Sequence, residues 1–380
     1  MKRATPIYLD NNATTPIDPA VRAAMLPFLD EHFGNPSSTH AYGKAAHRAI
    51  DKARGQMASL LGALPSEIVF TGGGTEASNQ VINGVMLGGD RHGNHVVTSS
   101  IEHPATYKPC KYVQSLGCEV TIVPVDRYGL VDPDDIRRAI TPRTRLISIM
   151  HSNNEIGTLE PIREIAAIAR ERNVLMHCDA AQSVGKVVID VLELGVDFLT
   201  IAGHKLYAPK GIGALFVRSG IDLPSFIHGA GQENGRRAGT ENVPYIFGLG
   251  KAAEIAELSL PAATDHLKNL RDRLETKLWA MMGERIAING HPEKRLPNTA
   301  NISFVGKIGS ELLEEVPGIA ASTGAACHEG HFIVSPIFTS LGLPEEIGRG
   351  AVRLTVGRFT TEAEVDEAAE MLGRATKPCG

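Results

Sequence analysis

Between residues 67 and 217, seven apolar runs rich in β-branched residues alternate with segments of helical periodicity. That alternation restricts the fold more than any other feature of the chain. The runs are EIVFTG (67–72), HVVTSS (95–100), EVTIVPV (119–125), RLISIMH (145–151), VLMHCD (174–179), FLTIAG (198–203) and IGALFV (212–217). Continuous apolar strands separated by helices such as PIREIAAIARERN (161–173) fit a mostly parallel sheet covered on both faces. At 380 residues, 43% of them hydrophobic, the chain can bury a large core and a smaller one. The expected class is α/β, with a large domain over residues 16–260. A charged helical stretch at 264–284 then precedes a change of character through IAINGHP, NTANISFVG and the amphipathic TEAEVDEAAEMLGRA. These read as a smaller α+β domain made of residues 1–15 plus 261–380.

Several function classes are disfavoured at once. The net charge is −5 with both signs interspersed, which offers nucleic acid or a membrane surface no attractive face. No stretch approaches the roughly 18 uncharged apolar residues of a spanning helix. The opening MKRATPIYLDNNATTP lacks the apolar centre of a secretion signal. Five cysteines without CxxC pairs fit a reducing compartment, so a cytoplasmic protein is expected.

Open parallel sheets bind ligands beyond the C-terminal ends of their strands. Here five strand ends carry chemistry-capable side chains: FTGGGTEASN, SSIEHPAT, MHSNNEIG, HCDAAQS and AGHK. TGGGTE, with Gly74 and Thr75, leads into a helix at EASNQVINGVM, where backbone N–H groups and the helix N-terminus can hold a phosphate. The spacing matches neither a Walker A loop nor a dinucleotide fingerprint, which leaves a small phosphate cofactor or a plain tight turn. Asp179 either holds a pyridine-type nitrogen protonated or N-caps a helix at AAQSVG. His103 either stacks on an aromatic cofactor and moves protons or serves as a structural residue. Lys205, amid apolar neighbours in TIAGHKLYAPKG, is either an amine whose lowered pKa suits carbonyl condensation or a lysine that snorkels outward. A phosphate loop, then an aspartate, then a lysine is the order that pyridoxal 5'-phosphate requires.

The small-residue stretch GIAASTGAACHEGH (318–331) predicts a flexible loop presenting the thiol of Cys327. Two other readings stay open: ligation of a metal by Cys327, His328 and His331, or an inert helix start. Arg353, on the strand-like AVRLTV, offers a guanidinium fork for an amino-acid carboxylate. Arg358 fits a surface ion pair better.

Taken together these residues resemble the pyridoxal-phosphate-dependent cysteine desulfurases of the class-V aminotransferase fold. The resemblance runs nearly end to end, through YLDNNATTP, HFGNPSSTH, FTGGGTEASN, EHPA, HSNNEIGTLEPI, HCDAAQSVGK, GHKLYAPKGIG, RRAGTENV, STGAAC and RLTVGRFTTEAEV. It implies a fold type I transferase in which Lys205 carries the cofactor, His103 stacks on its ring and Asp179 meets the ring nitrogen. It further implies that Gln182 contacts the ring hydroxyl, and that Thr75 and His204 contact the phosphate. Asn154 and Arg353 would take the substrate carboxylate, and Thr240 would reach the phosphate held by the other subunit of a homodimer. Cys327 would accept sulfur from L-cysteine as a persulfide, leaving L-alanine, and pass it to an acceptor protein. No metal is implied. Two departures stand out. Position 202 is alanine where the family places a phosphate-binding serine. After Cys327 the loop reads CHEGHFIVSPIF, where desulfurases usually continue with Thr and Ser. The small residue before GHK, GQENGRRAGTENVP, GLGKAAE and GAACH are similar to selenocysteine lyases, which makes L-selenocysteine the alternative substrate, with a class-V aminotransferase as the other alternative. The tail RATKPCG does not resemble the scaffold-docking tail of iron–sulfur-assembly desulfurases.

Overall fold

All seven apolar runs form strands, because β-branched side chains pack well on a pleated surface buried on both faces. The computed structural model describes residues 5–88, 93–323, 325–328 and 331–376, with 325–328 and 331–333 described by backbone alone. After a two-residue strand Ile7–Tyr8 (β1) come Ile68–Thr71 (β2), His95–Ser99 (β3), Glu119–Val123 (β4), Thr144–Met150 (β5), Leu175–Asp179 (β6), Phe198–Ala202 (β7) and Gly213–Val217 (β8). The last seven make one sheet in the order β2-β8-β7-β6-β5-β3-β4. Pairings among β3, β4, β5, β6 and β7 are parallel. β8 runs against both its neighbours, β7 and β2. The segment from Gly203 to Ile212 is too short to return to the far end of the sheet, so the chain reverses there. Because β8 inverts between them, β2 points the same way as β7. The C-terminal ends of β2, β7, β6, β5 and β3 therefore share one edge.

Helices cover both faces. Ala41–Leu61 (α1) supplies Ala46, Ile50, Ala53 and Met57 to a core on one face, with Ile149, Met176 and Leu199 of the sheet. On the other face, Gly74–Leu87 (α2) buries Ala77, Val81, Ile82 and Val85 against Val69, Val96 and Phe198. Pro104–Ser115 (α3) adds Cys110 and Val113 to that second core.

Where the sequence predicts a helix from 264, the structure has one continuous helix, Val243–Met282 (α4), with Pro261 inside it. Its N-terminal part packs Val243, Ile246, Leu249 and Ala253 into the large core. Its C-terminal part packs Leu267, Leu270, Leu274 and Leu278 into a separate core, shared with Ile7 and Leu9 of the N-terminal segment. Pro261 and the change of buried face conceal one helix as two segments. That separate core is completed by the strands Ile286–Asn289 (β9), Thr299–Phe304 (β10), Ile319–Ala320 (β11) and Ala351–Thr355, with helix Glu362–Ala375, and the short strand Ser322–Thr323 (β12) pairs alongside. Between β12 and Ala351–Thr355 lie Ala325–His328 (β13) and His331–Val334 (β14), so Ala351–Thr355 is β15. The four-stranded sheet runs β12-β15-β10-β9. No helix of the described residues is long and apolar enough to cross a membrane.

Candidate active site

Five strand ends converge on one cleft. The end of β2 delivers Gly74 and Thr75, the end of β3 His103, and the end of β5 Asn154. Asp179 and Gln182 come from the end of β6, and Ala202, His204 and Lys205 from the end of β7; all of these line the cleft. The structure brings these residues together around one cleft. Gly73 has φ +145°, a backbone conformation that favours glycine, and it turns the chain from β2 into α2. A side chain at Gly74 would press on Ala202 Cβ at 3.3 Å, so glycine there lets the helix start approach β7. The first turn of α2, with backbone N–H groups that no helical carbonyl can reach, opens beside the cleft.

Where the sequence reading places a helix after Asp179, the chain makes a turn, and Asp179 caps that turn at the edge of the cleft. One carboxylate oxygen accepts the Ala181 N–H at 3.0 Å, and the other lies 3.5 Å from Thr106 Oγ1. His103 is likewise structural and available. It caps α3, its Nδ1 accepting the Ala105 N–H at 3.1 Å, so the neutral ring carries its proton on Nε2. Burial and the nearby Lys205 cation pull the His103 pKa below its ordinary value, against the Asp179 carboxylate. The ring is therefore neutral at pH 7. His204 is drawn down to about 4, by burial first and then by the Lys205 and Lys210 cations. Its Nδ1 lies 3.2 Å from Thr14 Oγ1.

Burial brings Lys205 down to about 8; Asp179 opposes the shift and Arg353 reinforces it. An amine reacts with a carbonyl only when unprotonated, and its neutral fraction rises with pH through its pKa. Capture of pyridoxal phosphate by the apoprotein is thus expected to accelerate with pH and level off above about 8. An ordinary lysine would keep accelerating to about 10.4. Stopped-flow absorbance across that range checks it.

Arg353 on β15 does not present a fully open fork. Its Nη2 donates to Asp10 Oδ1 at 2.7 Å and its Nη1 to the Asn154 carbonyl at 3.1 Å. Its Nε is buried without a partner. Ser322, opposite Arg353 in the β12–β15 pairing, donates to the same Asp10 oxygen at 2.9 Å. Asp10 and Asn12 are site residues that the sequence reading did not single out, although both lie in the quoted YLDNNATTP. Arg358 pairs with Asp18 at 2.9 Å and stacks on Tyr207.

Thr240 is exposed and lies outside the cleft, in a separate hollow with Gly72, Arg237 and Gly239. Its segment is pinned by Glu233, which forms a two-pronged pair with Arg54 at 2.7 and 2.8 Å and accepts the Phe70 N–H. Around Cys327, where the sequence reading expects a flexible loop, the described backbone pairs as two antiparallel strands, with Cys327 opposite Phe332 and His328 opposite His331. The side chains of Cys327, His328 and His331, and the tail from residue 377, lie outside the described residues.

The donor set fits a phosphorylated pyridine aldehyde. It offers a helix N-terminus for the phosphate, a carboxylate for a ring nitrogen, an unprotonated imidazole, and a lysine whose pKa is drawn down to about 8.

Comparison with known proteins gives the same class. The aminotransferase class-V family matches residues 7–368. The chain is similar to the cysteine desulfurase IscS of Dictyoglomus turgidum, 44% identical over 376 residues, covering 98% of this chain and 95% of the relative. Among solved structures, a NifS-like protein superposes with a TM-score of 0.91 at 36% identity, covering 97% of this chain and 99% of the other. SspA in complex with cysteine superposes with a TM-score of 0.81 at 35% identity, covering 93% and 99%.

Proposed function

The chain belongs to the class-V aminotransferase family, among its pyridoxal-phosphate-dependent cysteine desulfurases, and we propose that the cleft removes sulfur from L-cysteine to give L-alanine. The observation that carries the assignment of residues is the convergence of Lys205, Asp179 and His103 beside the start of α2. Bound pyridoxal phosphate supplies an electron sink for bonds to the carbon chain of an amino acid. Lys205 would hold the cofactor at its aldehyde end, and Asp179, fixed by Ala181 and Thr106, would keep the ring nitrogen protonated. Gln182 meets the ring oxygen, and His103 moves a proton at Nε2. Gly74, Thr75 and His204 take the phosphate. Asn154 and the unpartnered Nε of Arg353 take the substrate carboxylate; the solved complex of SspA with cysteine supports such a substrate.

Cys327 is the sulfur acceptor in this reading. It follows Ser322, which lies opposite Arg353, by five residues. That length spans at most about 17 Å, which keeps the thiol within range of a substrate bound at Arg353. The thiolate attacks the substrate sulfur, the carbon–sulfur bond breaks with its electron pair left on carbon, and that carbon takes a proton to become the methyl of alanine. The bond that forms is a persulfide, which hands its sulfur to an acceptor protein; a reducing cytoplasm suits that chemistry. The division into a large domain and a smaller one follows the two cores, with the passage inside α4.

Incubation of the loaded protein with L-cysteine and a thiol reductant tests the reaction type. One sulfide per alanine is expected; a keto acid without sulfide would mean transamination instead.

Thr240 completes the cofactor site of a second copy, since it is exposed and outside its own cleft. Sedimentation should show a dimer at assay concentrations, and a fully active monomer would contradict this. Ala202→Ser adds back one hydroxyl beside Gly74, where the lack of a Cβ leaves room. Cofactor affinity should rise about fivefold, the worth of one modest hydrogen bond. Equilibrium titration of the apoprotein measures it.

A further inference from the structure

Lys186 is buried, and both of its hydrogen-bond acceptors are amide oxygens: Gln182 Oε1 at 3.0 Å and Asn12 Oδ1 at 3.3 Å. A buried cation held only by neutral amides is a poor source of stability, because an apolar side chain of similar volume avoids the desolvation cost. Its geometry has a more specific consequence. The Gln182 side chain has two ends, one oxygen and one NH2, and both are tied. Its NH2 donates to the Asn12 carbonyl at 2.9 Å, and its oxygen accepts from Lys186. A flipped amide would set two oxygens against each other at Asn12 and two nitrogens against each other at Lys186. Burial, with help from the Lys205 and Arg353 cations, pulls the Lys186 pKa down, yet as ammonium or amine its N–H groups face the same two oxygens.

Asn12 cannot yield either. Its Oδ1 also accepts from Asn298 Nδ2 at 2.9 Å, and its Nδ2 donates to Thr299 Oγ1 at 2.9 Å and the Asn154 carbonyl at 3.2 Å. The Gln182 NH2 therefore has one hydrogen committed to Asn12 and a second left for the cleft that this residue lines.

We propose that Lys186 is a positioning residue: by holding the Gln182 oxygen it fixes an N–H donor, and never an acceptor, against the ring oxygen of the cofactor. This rests on the reading that the cleft holds pyridoxal phosphate with Gln182 at that oxygen. With Lys186 removed, the amide loses one tether and leaves a buried oxygen unpaired, so it rotates out of register.

The test compares two ligands on apoprotein: pyridoxal phosphate and its 3-deoxy analogue, which lacks the ring hydroxyl. Lys186→Met should weaken pyridoxal phosphate about tenfold, the loss of a hydrogen bond to a charged oxygen, while leaving the analogue's affinity unchanged. Gln182→Glu keeps a partner for Lys186 but removes the donor, and should show at least the same selective loss. It also covers the case in which the lysine variant fails to fold. Equal weakening of both ligands, or no weakening of either, would overturn the proposal. A wild-type protein that binds neither ligand would instead sink the cofactor reading on which it stands.

Discussion

Lys205→Ala is expected to lower alanine release by about four orders of magnitude, the scale on which loss of a covalent catalytic group is felt. The visible absorbance of the bound cofactor should vanish with it. Among the described residues lining the cleft, Lys205 is the one lysine, so no neighbouring amine can substitute. Lys186 lies behind Gln182 with its N–H groups engaged by Asn12 and Gln182. Phosphate contacts at the start of α2 do not involve Lys205, so the variant should still bind pyridoxal phosphate reversibly. Alanine measured by chromatography and the visible spectrum of the dialysed protein check both halves. Near-normal alanine production by the variant would remove Lys205 from the mechanism.

Cys327→Ala is expected to separate two substrates. Sulfur leaves carbon only when a thiolate collects it, so the variant should lose nearly all turnover of L-cysteine, by about two to three orders of magnitude if a positioned nucleophile is worth what such groups usually contribute. Selenium leaves more readily, because the selenol is the more acidic and the carbon–selenium bond the weaker. L-selenocysteine cleavage should therefore stay measurable. Were Cys327 merely a packing residue of the hairpin, losses would be mild and equal on both substrates. Alanine release on each substrate under reducing conditions decides between these outcomes.

The large sheet was legible because its strands are unbroken apolar runs with helical periodicity between them, and the ends of such strands are where polar chemistry collects. The direction of β8 was less visible, since it follows from the brevity of the turn between Gly203 and Ile212 and not from any pattern within the strand. α4 was half hidden. Its N-terminal part faces one core and its C-terminal part the other, and Pro261 sits where the buried face changes.

At the site, the cleft positions of Lys205, Asp179 and His103 were readable from their place at strand ends, whereas the choice between the readings left open for Asp179 and His103 was not. The His103 cap on α3 and the Asp179 hold on Ala181 are local geometry that spacing alone leaves undecided. Asp10 and Asn12 act across more than 280 residues, on Arg353, Asn298 and Thr299. Contacts of that range leave no periodic trace in the sequence. The partial occupation of Arg353 by Asp10 belongs to the same class, and so does the tie between Lys186 and Gln182, which is local in sequence but has meaning only once Asn12 is brought in.

A single turnover of the loaded protein with L-cysteine, without reductant, tests most directly whether this chain moves sulfur from cysteine to its own thiol. One alanine per active site and the mass of one added sulfur atom on the peptide containing Cys327 are the expected result. L-cysteine recovered unchanged, with no sulfur on that peptide, would contradict it.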